Sequence, residues 1–195
     1  MAIMKPTPAD QKETNLNGKI KLAKDNYGIR FKDEEFKMSS TGNPMIVLTS
    51  EFVYPESFTA PDGSKVNIAG VELRKHYIVL RVKDKETGEI DAKKSQDAFN
   101  RYCDLRKALG IPVDEQEGID IENPPKVFKG LVADAICDGE EYVQRKEPTP
   151  EQRSKGQLGD IIKDSNGNEI KSYSPVIVSI LGAGNTSLAG APKAY

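Results

Sequence analysis

Two hydrophobic periods divide the chain, and most of it follows the shorter one. "GKIKLAK" (18–24) sets Ile20 and Leu22 against Lys19 and Lys21, the alternation of a half-buried strand. "NYG" (26–28) reads as a bend, after which "IRFKDEEFKM" continues extended through Phe31 and Phe36. "SSTGNP" then reads as a flexible loop. "MIVLTSEFVY" (45–54) is β-branched, aromatic and apolar, a second strand entered at Pro44, where no ladder donor is needed. "YPESFTAPDGSK" (54–65) holds two prolines and an Asp-Gly turn and reads as a loop. Over 66–84 the apolar parity changes phase, from Val71 and Leu73 to Ile78, Leu80 and Val82. A bulge or sharp coil produces such a change, and sheets use that device to close on themselves.

The longer period occurs once with clarity. Ala98, Phe99, Tyr102, Leu105 and Leu109 recur at helical spacing within 95–112. Ser95 is placed to cap the helix, Arg106 and Lys107 suit its last turn, and Gly110 and Pro112 stop it. Past an acidic connection (113–125), "KVFKGLVADAIC" (126–137) is a further strand and "YSPVIVSIL" (173–181) the last. Between them lie a Pro/Gly-rich charged segment (147–160) and "DSNGNEI" (164–170), whose Asn-Gly is a strong hairpin signal.

Without the insertions the order is strand, strand, strand, helix, strand, strand. That is the order of the OB-fold, a mainly β five-stranded Greek-key barrel with one helix, which commonly binds oligonucleotides or oligosaccharides. A generic α+β domain has room for the same order. The expected organisation is a flexible N-terminal arm (1–16), one OB-fold domain (17–181) and a flexible C-terminal tail (182–195). An extended loop or hairpin insertion, at about 139–172, falls between strands four and five.

Composition narrows the class. A chain of 195 residues, 37% hydrophobic and 30% charged, is long enough for one domain with a real core. No apolar run approaches membrane-spanning length, and the first eighteen residues show no signal-peptide pattern. Cys103 and Cys137 have no pairing by spacing, so two free thiols and a cytoplasmic location are expected. The net charge of −2 conceals segregation. Residues 65–107 hold eleven Lys/Arg against seven Asp/Glu, and residues 108–142 hold two against nine. Such a split either steers a polyanion or is a set of solvated loops.

No catalytic constellation assembles. His76 is the single histidine, the cysteines lack metal-ligand spacing, and neither GxSxG nor GxxxxGK[ST] occurs. The acids of 114–122 lack the alternation of an EF-hand loop. The expectation is therefore no catalysis, no metal and no cofactor. Basic residues interleaved with aromatics are present instead, in "YGIRFK", "LRKHYIVLR", "FK" (128–129) and "KSY" (171–173). Single-stranded nucleic acid asks for that pairing, since cations neutralise phosphates and ring faces stack unpaired bases of any identity. The structural alternative for each ring is the core, which Phe52, Phe99 and Tyr102 are expected to join.

The stretch "FKMSSTGNPM" (36–45), with its GNPM, together with "LRKALGIP" (105–112), resembles a family of small phage-encoded single-stranded DNA-binding proteins with an OB-fold. The likeness is clearest over 18–54 and 95–136. It implies sequence-independent coating and protection of single-stranded DNA in phage replication or recombination, within the host cytoplasm. Partners would be single-stranded DNA and replication or recombination proteins, with homo-oligomerisation open and no membrane. On this reading Arg30, Lys37, Arg74, Arg81 and Lys129 serve phosphates, and Phe31, Tyr54, Tyr77 and Tyr173 stack bases. Arg145 and Lys171 extend the groove along the insertion. The competing expectation is a phage structural or assembly protein using the same barrel for protein contacts, and a third is an enzyme or inhibitor whose site has no sequence signature.

Overall fold

The computed structural model describes residues 14–15 (by backbone), 18, 20–60, 63–113 and 118–184. Most of the expected N-terminal arm, the acids of 114–117 and the C-terminal tail from 185 onward fall outside the described residues.

The architecture is mainly β. One antiparallel sheet has the order β6-β3-β2-β7-β8, formed by β2 (Asp25–Met38), β3 (Pro44–Tyr54), β6 (His76–Val79), β7 (Val132–Val143) and β8 (Lys171–Ala183). A small second sheet joins β1 (Thr14–Asn15), β5 (Lys65–Asn67) and β4 (Ser57–Thr59). The helix α1 (Ala92–Ala108) falls between β6 and β7, and a short helix α2 (Pro150–Ser154) lies in the insertion.

Several expected boundaries move, each for a local reason. No strand forms over 20–24; Leu22 is nevertheless buried and anchors that segment to the core. The strand begins at Asp25 and continues through "NYG" unbroken, with a shift of register against β3 after Gly28. Gly28 is required there by close approach, since a Cβ would stand 2.2 Å from the ring of Tyr54. The sequence 66–84 is not one strand. Residues 70–73 follow the edge of β3, with Phe52 N–H donating to Val71 O and Leu73 N–H to Ser50 O, before β6 starts at His76. The change of parity falls in that break. α1 begins four residues earlier than the Ser95 cap implies, because Asp91 accepts from Lys94 N–H. The Ser95 hydroxyl instead exchanges two hydrogen bonds with the backbone of Val82. "SSTGN" is a tight turn, not a flexible loop: Gly42 takes φ +73°, Ser39 binds Asn43 by backbone and side chain, and the Asn43 amide oxygen accepts from Lys83 N–H.

Residues 126–131 also fail to form the expected strand. Glu34, on β2 and only 2% exposed, accepts from the N–H groups of both Val127 and Phe128 at 2.8 Å. That clamp holds Phe128 in the core as the middle ring of three. Its centroid lies 5.9 Å from Phe31 of the sheet and 6.1 Å from Tyr102 of α1. Phe31, expected to stack bases, is thus fully buried. Alternation turns Phe31 in and its neighbours Arg30 and Lys32 out, and the register shift between Phe31 and Asp33 then moves the next inward position to Glu34.

Barrel closure is the other point of difference. β6 and β8 do not pair; among the described residues one backbone bond, Arg74 N–H to Pro175 O, crosses between the two edges. The β7–β8 hairpin pairs from Ala133↔Ala183 outward to Val143↔Lys171, whereas β2 accompanies β7 only as far as Cys137. The rest of the hairpin projects from the sheet as an arm. Its tip carries α2, closed by a capping box between Thr149 and Gln152.

Phe31→Ala removes the sheet side of this ring stack and should lower the unfolding free energy by about 3–5 kcal/mol. Urea denaturation checks this. An unchanged midpoint would place the ring outside the core.

Candidate nucleic-acid interface

The face of β2, β3 and β6 turned away from the core is set by alternation. Ile46, Leu48, Ser50 and Phe52 go inward on β3, and Ile78 and Leu80 go inward at β6, so Met45, Val47, Thr49, Glu51, Tyr77 and Val79 face out. Register lines them up in rows. Glu35, Val47 and Tyr77 form one, and Lys37, Met45 and Val79 form the next. Val47 is only 2% exposed although it faces out, so its neighbours cover it and it forms an apolar floor. Tyr77 is 54% exposed beside it.

Two ammonium groups flank this ring. Lys37 pairs with Glu35, and its ammonium holds that carboxyl below the usual carboxylate range, with the charge of Lys75 adding to the effect. Glu35 in turn raises Lys37 above the ordinary lysine value. The arrangement is a solvent-facing ring beside an apolar floor, with Lys37 and Lys75 both acting on the one carboxylate of Glu35. Lys75 was not among the expected site residues, yet the parity of "KHY" places it on the same face as Tyr77.

The other expected residues divide among three places. Arg30 lies further along the same face and bonds Glu51 at 3.4 Å, while Lys32 bonds Glu72 at 2.7 Å. Arg74 leads into β6 and pairs with Glu140 at the foot of the arm. Lys171 and Tyr173 are on the arm itself and share Glu141, at 2.9 and 3.5 Å. Arg145 spans the arm by donating to Gly159 O at 3.1 Å. Tyr142, 48% exposed and two residues from Glu140 on β7, is an arm aromatic that the basic–aromatic pattern passes over.

Three expected contacts lie apart from the face. Arg81 turns toward α1 and pairs with Glu122, lining a cavity of about 380 Å³ with Phe99 and Ile121. Tyr54 lies over Gly28 and donates to Asp134. Lys129 pairs with Asp33 at 3.6 Å beside the Glu34 clamp. Every expected phosphate cation on the sheet thus has a carboxylate beside it. Solvent-exposed pairs such as Lys37–Glu35, Arg74–Glu140 and Lys129–Asp33 hold weakly, whereas Arg30–Glu51 and the guanidinium of Arg81 are largely covered.

Elsewhere the chemistry is spare. Neither Cys103 nor Cys137 is in a disulfide, and burial pushes Cys137 up to about 12. Among the described residues no three His, Cys, Asp or Glu side chains gather as a metal site. No helix among them is long and apolar enough to cross a membrane. His76 faces inward at the gap between β6 and β8, where α1 presents Arg101 and Asp104.

Burial holds the His76 imidazole below its ordinary value of 6.5. The unfolded chain therefore takes up a proton more readily than the folded one. Stability complete above about pH 6.5 should fall as the pH drops through the folded-state value. Melts between about pH 7.5 and 5.5 should show this loss, and His76→Gln should flatten it; identical slopes would assign the loss to another group.

Compared with known proteins, the chain matches no protein-family model, and no curated protein is significantly similar to it.

Proposed function

We propose that the protein is a non-catalytic, sequence-independent single-stranded DNA-binding protein on an OB-type barrel, acting in DNA replication or recombination as the phage-encoded proteins it resembles do. The observation that carries the reading is Tyr77, more than half exposed over the Val47 floor with Lys37 and Lys75 at its flanks. A ring face with cations near it takes an unpaired base and its phosphates together.

Topology supports the same reading. The order of the five strands, with α1 between the third and fourth, is that of an OB barrel whose last closure is left open. OB barrels bind on the strand 2–3 face between the loops joining strands one to two and four to five. Here those are the 39–43 turn and the β7–β8 arm. A strand of DNA would run from Lys37 across Tyr77 and Lys75 to Arg74 at the foot of the arm. Tyr142 and Tyr173 would offer further stacking beyond it. Phe31 takes no part.

The assembly-protein alternative rests on a different observation. Val178 and Leu181 are each about half exposed on β8, at 51% and 50%, which suits a protein contact. Titration of a fluorescent oligo-dT at two salt concentrations separates the two readings. Tight binding that weakens with salt, with much weaker binding to duplex, is expected. Tyr77→Ala should weaken it about 5- to 150-fold, the effect of losing one stack of about 1–3 kcal/mol. Lys37→Ala and Lys75→Ala should each reduce the salt slope by about 0.7. Indifference to oligo-dT at low salt would leave the assembly reading in its place.

A further inference from the structure

On the outward face, a carboxylate stands where a grip on phosphates alone has no use for one. Glu35 and Tyr77 are the two ends of one row, with Val47 of β3 between them. Two strand spacings put their backbones roughly 10 Å apart, and alternation turns both side chains to the same side. Val47 is only 2% exposed, so little open surface lies between ring and carboxylate. The outward rows to either side carry the cations. Lys37 lies in the row of Met45 and Val79, and Lys75 directly precedes His76, which stands opposite Leu48. Lys37 pairs with Glu35, Lys75 acts on the same carboxylate, and the Tyr77 phenol acts on Lys37. The side chains of Glu35 and Lys37 are 42% and 49% exposed, open to a ligand.

The donors on a base say what fits. A phosphate that takes up Lys37 leaves the Glu35 carboxylate free beside a ring with a base on it. A carboxylate only accepts, through its two oxygens. Guanine alone sets two donors side by side on its Watson–Crick edge, N1–H and the N2 amino group, with O6 next to them for an ammonium. Cytosine and adenine offer one amino donor beside a ring-nitrogen acceptor, and thymine an N3–H between two carbonyls. Those acceptors repel a carboxylate. An unpaired base presents this edge freely, whereas a duplex covers it.

We propose that Glu35 makes the Tyr77 position selective for guanine, its two oxygens accepting from N1–H and the N2 amino group while the base stacks on the ring. The proposal rests on the single-stranded DNA reading. It adds a base preference at one position to a grip that elsewhere is indifferent to sequence. A good bidentate contact discriminates against the wrong base by about 5- to 150-fold. Water competes at an exposed carboxylate, which puts Glu35 at the lower end, at about fivefold.

Competition against a fluorescent oligo-dT on the full chain tests this, with unlabelled oligo-dT strands in which one central nucleotide is dG, deoxyinosine, dC or dA. The dG strand should compete about fivefold better than the dA, dC and all-dT strands, dA serving as the control for purine stacking. Deoxyinosine keeps N1–H and lacks the N2 amino group, so its strand should fall between dG and dA. Glu35→Gln should bind oligo-dT more tightly, since Lys37 is released, and should no longer distinguish dG from dA. That retained binding also verifies that the variant is folded. Equal competition by dG and dA in the unmodified protein, or a dG preference that survives Glu35→Gln, would overturn the proposal and leave the DNA-binding reading standing. Failure of every strand to bind at low salt would remove that reading itself, and the proposal with it.

Discussion

A sheet that buries one face obliges each strand to keep its alternation or to break it at a defined place. β2 meets this constraint for the whole molecule, because it is the one strand paired with both halves of the sheet. Its register against β3 shifts twice, after Gly28 and after Phe31. Each shift adds twist and re-aims the side chains that follow. The inward set is Tyr27, Ile29, Phe31 and Glu34; Arg30, Lys32, Glu35 and Lys37 are directed outward. Glu34 is the point at which the constraint becomes chemistry. A carboxylate at an inward position is costly unless it is satisfied, and the two N–H groups of Val127 and Phe128 satisfy it. The same bonds place Phe128 between sheet and helix, so one polar residue in the core positions the ring that joins its two layers.

On the outward side, charge is arranged in pairs. Arg30, Lys32 and Lys129 each lie beside a carboxylate on another segment, and Lys37 beside one two residues away on its own strand. Pairing lowers the long-range pull on a polyanion without removing the local donors, because a carboxylate and a phosphate oxygen present similar acceptors. The acids also limit what binds. A ligand must bring enough negative charge to replace them and a flat surface for Tyr77, which a small anion does not. Duplex DNA brings the charge but keeps its bases stacked on one another.

How much of this the sequence shows depends on the range of the interaction responsible. The β3 strand, the end of α1 at Gly110 and the Asn166-Gly167 turn are local and stand in the structure as read. The missed features depend on partners far along the chain. The continuation of β2 through "NYG" brings Gly28 under the ring of Tyr54, a residue of another strand. The loss of strand over 126–131 is set by Glu34, more than ninety residues earlier. Phe31 sits in a basic–aromatic run that reads as a binding strip, and only the register with β3 shows that it points inward. Tyr77 and Lys37 were legible as candidates, whereas their meeting on adjacent rows was not, since nothing local states that Val47 lies between Glu35 and Tyr77.

Tyr77 belongs to two surfaces at once. Its side chain lies on the outward face, and its backbone N–H and C=O border the gap beside β8. β6 is four residues long, and among the described residues its one strand partner is β3. A ring carried on such a strand loses conformational freedom when a base stacks on it, and that loss subtracts from the stacking energy. Backbone bonds on the open side would restrict the strand beforehand and leave less entropy to lose on binding.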